Sequence, residues 1–476
     1  MRLLIVDDDE DFTRTLLERL RESDVISEAV TARSLERGKQ LIEDSEFDYI
    51  ICDLKIPSTD GGLDSDSAHG INAYAYARER VAGTPVLVLS GFGDESIVAA
   101  MIRRAPHDDP FGTGRPRPML EYLVKRPDLQ ECVSAVEIAA AEVGMLDAVN
   151  LSPIPEHLAV PTAQERVLRL FGRLRGGTVV RFKSLSGGLT NSKVLWVRVE
   201  DPHGALAGVA VAKIGGLADI GDECNRYDRY IVTLPAAFTP RQMVVRAGAG
   251  ASGGIFYQLD EEFEYSLFDL LADKPSLGKT VVEQLKQATA RWRDGRPTNM
   301  VTVHSIRAGL LSDAELKKRG VRALLTGLPW EDFEASRFQA RQCPQHRDLH
   351  GLNVLVNGSG SPKMIDFGSA GEANAALDPV TLELSLLFHP SALGRWGPWP
   401  TKTDLASWHQ RPLYLKDCPF PEYIDACRDW AIQVSGSNQE FYATAYGYAV
   451  RQLGYPDTDH AAAVGVIRSA MVGFKT

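Results

Sequence analysis

Over residues 1–145, short apolar runs alternate with stretches whose apolar residues recur at helical spacing. RLLIVDD, FDYIICDL, TPVLVLSG and MLEYLVK are apolar runs, and DFTRTLLERLRES between the first two repeats Phe and Leu three and four places apart. Apolar strands alternating with amphipathic helices predict a doubly wound, five-stranded parallel sheet with helices on both faces. Sites in such open sheets lie at the C-terminal ends of the strands. The runs end on polar groups there: Asp7, Asp8 and Asp9, then Asp53, Ser90 and Lys125. DGGLDSDSAHG (60–70) and RAPHDDPFGTGRPRP (104–118) break the rhythm and read as long loops. With three prolines in VNLSPIPEHLAVPTAQE, residues 148–165 read as a linker after a first domain at 1–147, with a short helix starting near 166.

The pattern then changes. TVVRFKSL, NSKVLWVRVED, AGVAVAKIG, MVVRAG and GGIFYQLDE read as strands, with a helix around DIGDECNRYDRYIVTL. This predicts a β-rich lobe over 166–262. From SLFDLLA onward helical patterning dominates 263–476, broken by one β-like patch, NVLVNGSGSPKMIDFG (353–368). The second half is therefore expected to be α+β and bilobal, with a helical C-terminal region.

Composition trims the function classes. A net charge of −11 argues against a sequence-independent grip on nucleic acid. No run of about 18 apolar residues exists, so no membrane span is expected. Six cysteines without a C-x-x-C pair, and an N-terminus that turns acidic by residue 7, point to a reducing cytoplasm.

Clustered carboxylates can hold Mg2+ through hard oxygen ligands, and such a metal offsets the repulsion between an incoming phosphoryl group and an Asp nucleophile. A Lys and a hydroxyl can bind the phosphoryl oxygens. These residues resemble the receiver domains of two-component response regulators. The resemblance implies that Asp7 and Asp8 bind Mg2+ and that Asp53 in CDLKIP accepts a phosphoryl group from a cognate histidine kinase or other phosphodonor. Ser90 in VLVLSG is then the switch hydroxyl and Lys125 in YLVK the family's lysine. Spacings from Asp53 to Ser90 and on to Lys125 exceed the usual ones, as the two insertions require. The proline expected after the lysine stands one place on, at Pro127. Phosphorylated receivers often dimerise, so a homodimer through this domain is a possible assembly.

A second constellation lies at HRDLHGLNVLV (346–356) and KMIDFG (363–368). Transfer of phosphoryl from ATP needs metal bridging the phosphates, a cation on them and a carboxylate at the acceptor hydroxyl. Asn353 and Asp366 can hold Mg2+, Asp348 can orient the hydroxyl, and Lys213 in VAVAKIG, paired with Glu223, can meet the phosphates. Gly187 and Gly188 in SLSGGLTNSKVL would belong to the loop over the phosphates, although the run fits G-x-G-x-x-G poorly. The set resembles the protein-kinase-like superfamily, most closely its aminoglycoside and choline phosphotransferase branch, because His350 stands where protein kinases usually carry Lys. ALDPVTLELSLL (376–387) resembles the helix that follows the metal Asp in that branch.

The expected function is a response regulator whose kinase-like output binds ATP and Mg2+ and phosphorylates an unknown hydroxyl. The alternative is a pseudokinase-type nucleotide-binding or scaffold module in a bacterial signalling or conflict system. No helix-turn-helix signal follows the first domain, so transcriptional output is not expected.

Overall fold

A computed structural model describes residues 1–476 except 24–25, 92–94 and 186–191, and leaves aside the side chains of 95–98. The chain divides into two units, Met1–Gly221 with Gln242–Leu259, and Asp222–Arg241 with Asp260–Thr476.

The first unit opens with β1 (Arg2–Val6), α1 (Glu10–Glu22), β2 (Glu28–Ala32), α2 (Leu35–Asp44), β3 (Tyr49–Asp53), α3 (Ser67–Arg80), β4 (Val86–Ser90) and α4 (Glu95–Arg104). A two-residue hairpin, β5 (His107–Asp108) and β6 (Arg117–Pro118), precedes β7 (Leu120–Val124) and α5 (Gln130–Asp147). The five main strands form a sheet in the order β2-β1-β3-β4-β7, every pair parallel. β3 and β4 are buried along their whole length, as strands covered by helices on both faces must be. β2 at the edge is mostly exposed and carries no large side chain but Glu28 and Val30. The N-terminal third is thus the expected α/β receiver architecture. At Gly70 a Cβ would lie 2.3 Å from the Leu54 Cα, so only glycine lets α3 press against the chain just after β3.

Residues 148–165 do more than connect. β8 (Asn150–Ile154) pairs parallel with β9 (Val179–Ser184), and α6 (Thr162–Leu174) begins inside the expected linker. β10 (Lys193–Glu200), β11 (Leu206–Gly216), α7 (Leu217–Arg226), β12 (Arg241–Val245) and β13 (Ser252–Leu259) complete this region. Its six-stranded sheet runs β12-β13-β11-β10-β9-β8. The proline-bearing β8 sits at the edge, where a missing N–H does least harm.

One apolar core runs from the receiver sheet into this second sheet. It joins Leu3, Ile5 and Leu87 to Val136 and Val143 of α5, Val167 and Phe171 of α6, and Val197 and Phe256 beyond. Phe171 stacks on Phe256 at 3.9 Å. The 104–118 insertion also packs inward: Phe111 is buried, and Arg173 of α6 donates to its carbonyl at 2.7 Å and to Glu142 Oε2 at 2.7 Å. Arg166 bridges Asp48 at 2.8 Å and Asp147 at 2.9 Å.

The second unit carries β14 (Tyr265–Ser266), α8 (Leu267–Asp273), α9 (Gly278–Ala288) and β15 (Thr298–Thr302). Four short helices follow, α10 (Val303–Leu310), α11 (Asp313–Lys318), α12 (Val321–Leu324) and α13 (Trp330–Glu334). Next come β16 (Arg337–Gln345), β17 (Val354–Val356), β18 (Pro362–Met364), β19 (Gly371–Asn374) and α14 (Leu377–Phe388). The chain ends in α15 (Lys402–Ala406), α16 (Arg411–Tyr414), α17 (Pro421–Val434), α18 (Asn438–Gln452) and α19 (His460–Gly473). β17 and β18 form the expected hairpin and add β14 at its edge. A further sheet, β15-β16-β19, is one that helical patterning concealed. The aromatic C-terminal residues are core: Trp408, Tyr414 and Trp430 are almost fully buried. All six cysteines are buried and form no disulfide, and no described helix is long and apolar enough to cross a membrane.

Candidate functional site

At the C-terminal edge of the first sheet, β1, β3 and β7 bring three separate stretches of sequence together. Lys125, just past β7, places Nζ 2.8 Å from Asp53 Oδ2 and 2.9 Å from Asp7 Oδ1. Its backbone N–H donates to the Ser90 carbonyl at 2.8 Å, tying the end of β7 to the end of β4. Asp7, Asp8 and Asp53 each offer an oxygen within 4.8 Å of the others. Such a set of hard oxygen donors fits Mg2+. Asp7 and Asp53 are buried, whereas Asp8 is exposed and accepts from the Ser65 hydroxyl at 3.2 Å, so the 60–70 insertion reaches this edge. Burial first, and then the neighbouring Asp53 charge, push the Asp7 carboxyl up to about 7 against the pull of Lys125. Burial works against the charge on Lys125, but Asp7 and Asp53 together hold its pKa above the ordinary lysine value. The Ser90 hydroxyl donates to the Gly91 carbonyl at 3.0 Å.

In the second unit the 346–353 loop is held by its backbone. His346 and Arg347 donate their N–H groups to the two oxygens of Asp378, at 2.8 and 2.9 Å. The Asp348 carbonyl accepts from the Asn353 amide and the His350 N–H, both at 2.9 Å. Ile365 N–H donates to the Asn353 carbonyl at 3.0 Å, and the buried His346 ring meets the Ile365 carbonyl at 2.9 Å. The loop is thereby tied to the segment that carries Asp366, which sits at φ 60. Phe367 packs against Tyr227 and His346 at 5.7 and 5.4 Å. The Asp348 side chain stays 34% exposed, with His350 Nε2 at 3.8 Å and Arg451 Nη2 at 3.9 Å. Burial opposes its charge, but His350 and Arg451 outweigh that and hold its carboxyl below the ordinary value.

The expected residues thus fall into groups. Asp7, Asp8, Asp53 and Lys125 are in contact or within ligand reach, and the Ser90 backbone joins them. Asp348 and Asn353 are hydrogen-bonded, and Asp366 follows the residue bonded to Asn353. Lys213 lies on β11 in the first unit, opposite Val194 and Ile255, while Glu223 is buried on α7 in the second. Gly187 and Gly188 lie outside the described residues. Arg451, His389 and Asp378 join the Asp348 neighbourhood without having been expected. Only Asp378 had a local signal, its place in the segment after the DFG.

Residues 3–108 match the response regulator receiver domain family. The N-terminal part of this chain is therefore a receiver domain, a class that implies a phosphodonor such as a histidine kinase. The match ends within the second insertion, before Lys125. Among solved structures, a Francisella response regulator receiver domain is similar at 20% identity, covering 30% of this chain and 98% of that one, with a TM-score of 0.23. Choline kinase from Cryptosporidium parvum is similar at 12% identity, covering 62% and 89%, with a TM-score of 0.35. Aminoglycoside phosphotransferase APH(4)-Ia, in a thermostable mutant, is similar at 14% identity, covering 60% and 94%, with a TM-score of 0.35. No curated protein matches the chain.

Proposed function

We propose that this chain is a response regulator that accepts a phosphoryl group on Asp53 and whose output is ATP-dependent transfer of a phosphoryl group to a hydroxyl. The observation that carries the reading is the Lys125 ammonium, 2.8 Å from Asp53 Oδ2 and in contact with Asp7. An Asp53 oxygen attacks the phosphorus of a phosphohistidine; the P–O bond forms, the P–N bond breaks and the imidazole leaves. Lys125 then turns from carboxylate to phosphoryl oxygen, and the Ser90 hydroxyl leaves Gly91 for the same group. Mg2+ held by Asp7, Asp8 and Asp53 would supply the positive charge that lets two anions meet.

For the output, Asp348 takes the acceptor hydroxyl's proton as that oxygen attacks the γ-phosphorus, and the bond to the β-phosphate oxygen breaks. Asn353 and Asp366 are the residues that would hold Mg2+ here. Lys213, with Glu223 as its partner, is the cation read for the ATP phosphates, and Gly187 and Gly188 are read as part of the covering loop. A 34% exposed Asp348 carboxylate whose contacts are all longer than a hydrogen bond is free to take such a proton.

Incubation with acetyl phosphate and Mg2+ should label the full chain at Asp53, and Asp53→Asn should not label. Steady ATP consumption should fall sharply in Asp348→Asn. Equal rates in the two proteins would reject the enzymatic half and leave a nucleotide-binding scaffold.

A further inference from the structure

Arginines in the second unit come in two kinds. Buried Arg307 meets both oxygens of Glu334 at 2.9 and 2.7 Å, and Arg428 lies 2.7 Å from Glu383 and also bonds the Trp408 carbonyl. These are saturated, each tied to its own carboxylate.

Arg226, Arg347 and Arg451 differ. Arg347 precedes Asp348 and sits at φ 67, a left-handed backbone uncommon for arginine. Its N–H bond to Asp378 holds that turn. Its Nη1 lies 3.5 Å, and Arg226 Nη1 3.7 Å, from the point a Cβ would occupy on Gly371. Two guanidinium groups thus converge over a residue with no side chain. Arg347 Nε is buried and makes no hydrogen bond, while its Nη2 reaches only the Gly309 carbonyl at 3.3 Å. Arg226 donates to the Ala370 carbonyl at 2.9 Å and has Asp222, largely exposed, at 3.7 Å. Arg451 donates to the Tyr455 hydroxyl at 3.3 Å and stands 3.9 Å from Asp348, beyond a charge-assisted hydrogen bond.

Arg347 thus has Arg226 beside it over Gly371 and feels the charge of Arg451, which stands beside Asp348; Asp222 and Asp348 are the acids that Arg226 and Arg451 meet, at 3.7 and 3.9 Å. Asp378 is buried with both oxygens on backbone N–H groups, and Asp366 acts on His350 next to Asp348. Burial, followed by the charges of Arg226 and Arg451, lowers the pKa of Arg347, as expected of cations that crowd one another. A guanidinium with unused donors is suited to the paired oxygens of phosphate or carboxylate. A cationic amine would meet repulsion at the same place.

We propose that the acceptor phosphorylated beside Asp348 is an anionic hydroxyl compound, whose phosphate or carboxylate docks on Arg226, Arg347 and Arg451. This rests on the phosphotransferase reading, and binding separates the two. Inorganic phosphate is titrated into the full chain by calorimetry at low salt, with acetate and choline in parallel. Wild-type protein should bind phosphate or acetate and not choline. Arg347→Gln with Arg451→Gln should weaken anion binding at least tenfold, and Asp348→Asn should strengthen it by removing a negative charge. Arg226→Gln, at a half-exposed helix end, should weaken it severalfold even if the double variant folds poorly. Acetate binding with the same arginine dependence assigns a carboxylate, and preference for phosphate assigns a phosphate. Anion affinity equal in wild type and Arg226→Gln, or choline bound as well as phosphate, overturns the proposal whether or not ATP is consumed. Loss of ATP turnover in wild type with arginine-dependent anion binding intact would instead reject only the phosphotransferase reading.

Discussion

Asp53 and Asp348 both end up where a phosphoryl group is read to pass, but they are held in opposite ways. Asp53 is buried and fixed by charge: one lysine reaches it and Asp7 at hydrogen-bond distance. Asp348 is fixed through its backbone, while its carboxylate stands 3.8 Å or more from any cation. A nucleophile that becomes covalently modified needs counter-charge in place beforehand. A group that borrows a proton needs a fixed origin and a free end. The contrast teaches that similar chemistry can be prepared by electrostatics in a parallel sheet and by hydrogen bonding in a loop.

Asp53→Asn offers the largest effect: phosphoryl labelling by acetyl phosphate should fall to background, read by phosphate-affinity gel. Labelling that persists would move the acceptor elsewhere. Asp348→Asn comes next, with ATP turnover lowered by roughly 10²–10⁴-fold, the usual worth of acid–base catalysis, and nucleotide affinity almost unchanged. Asp378→Ala attacks the backbone scheme itself. It strands the His346 and Arg347 N–H groups, at roughly 1–3 kcal/mol each, and urea unfolding of the full chain should register the loss.

A smaller effect sharpens the loop side through pH. Burial, and then the charge of His350, lower His389 to about 4, and its Nδ1 accepts the Ser391 N–H at 3.1 Å, a bond only the unprotonated nitrogen can make. The unfolded histidine titrates near about 6.5, so between those values the unfolded chain holds a proton the folded one lacks. Stability from this site is complete above about pH 6.5 and drains away as pH falls toward 4, by about 1–3 kcal/mol. His389→Phe should flatten that part of the stability–pH curve. Smallest of all, Arg126→Ala, next to Lys125, should cost no more than about 1 kcal/mol in urea unfolding, since Arg126 and Glu131 are both about half exposed.

The receiver was legible because four of its five strands are short apolar runs that end on polar groups; β2, EAVTA, carries no such mark. Asp7, Asp53, Ser90 and Lys125 announce themselves by ending such runs. HRDLHGLN and MIDFG were legible for a similar reason, as polar groups at fixed offsets beside a hairpin. β15, β16 and β19 were hidden because RFQARQCPQ mixes charge, proline and apolar residues without clean alternation. β8 was hidden by Pro153 within it and Pro155 just after it, and an edge strand tolerates the first. Arg451 and His389 could not be found at all. They reach Asp348 and His350 from helices and loops dozens of residues away, and nothing local distinguishes them from the other arginines and histidines.

The apolar core that continues from Leu3 through α5 and α6 to Phe256 has a consequence for modularity. Cutting after Asp147 would not release a finished receiver. It would strip Val143 and Leu146 of their neighbours and leave Phe111 without the α6 it packs beside. In engineering terms this receiver has no clean seam. Transplanting it elsewhere would have to carry α6 and the sheet beneath it as part of the same graft.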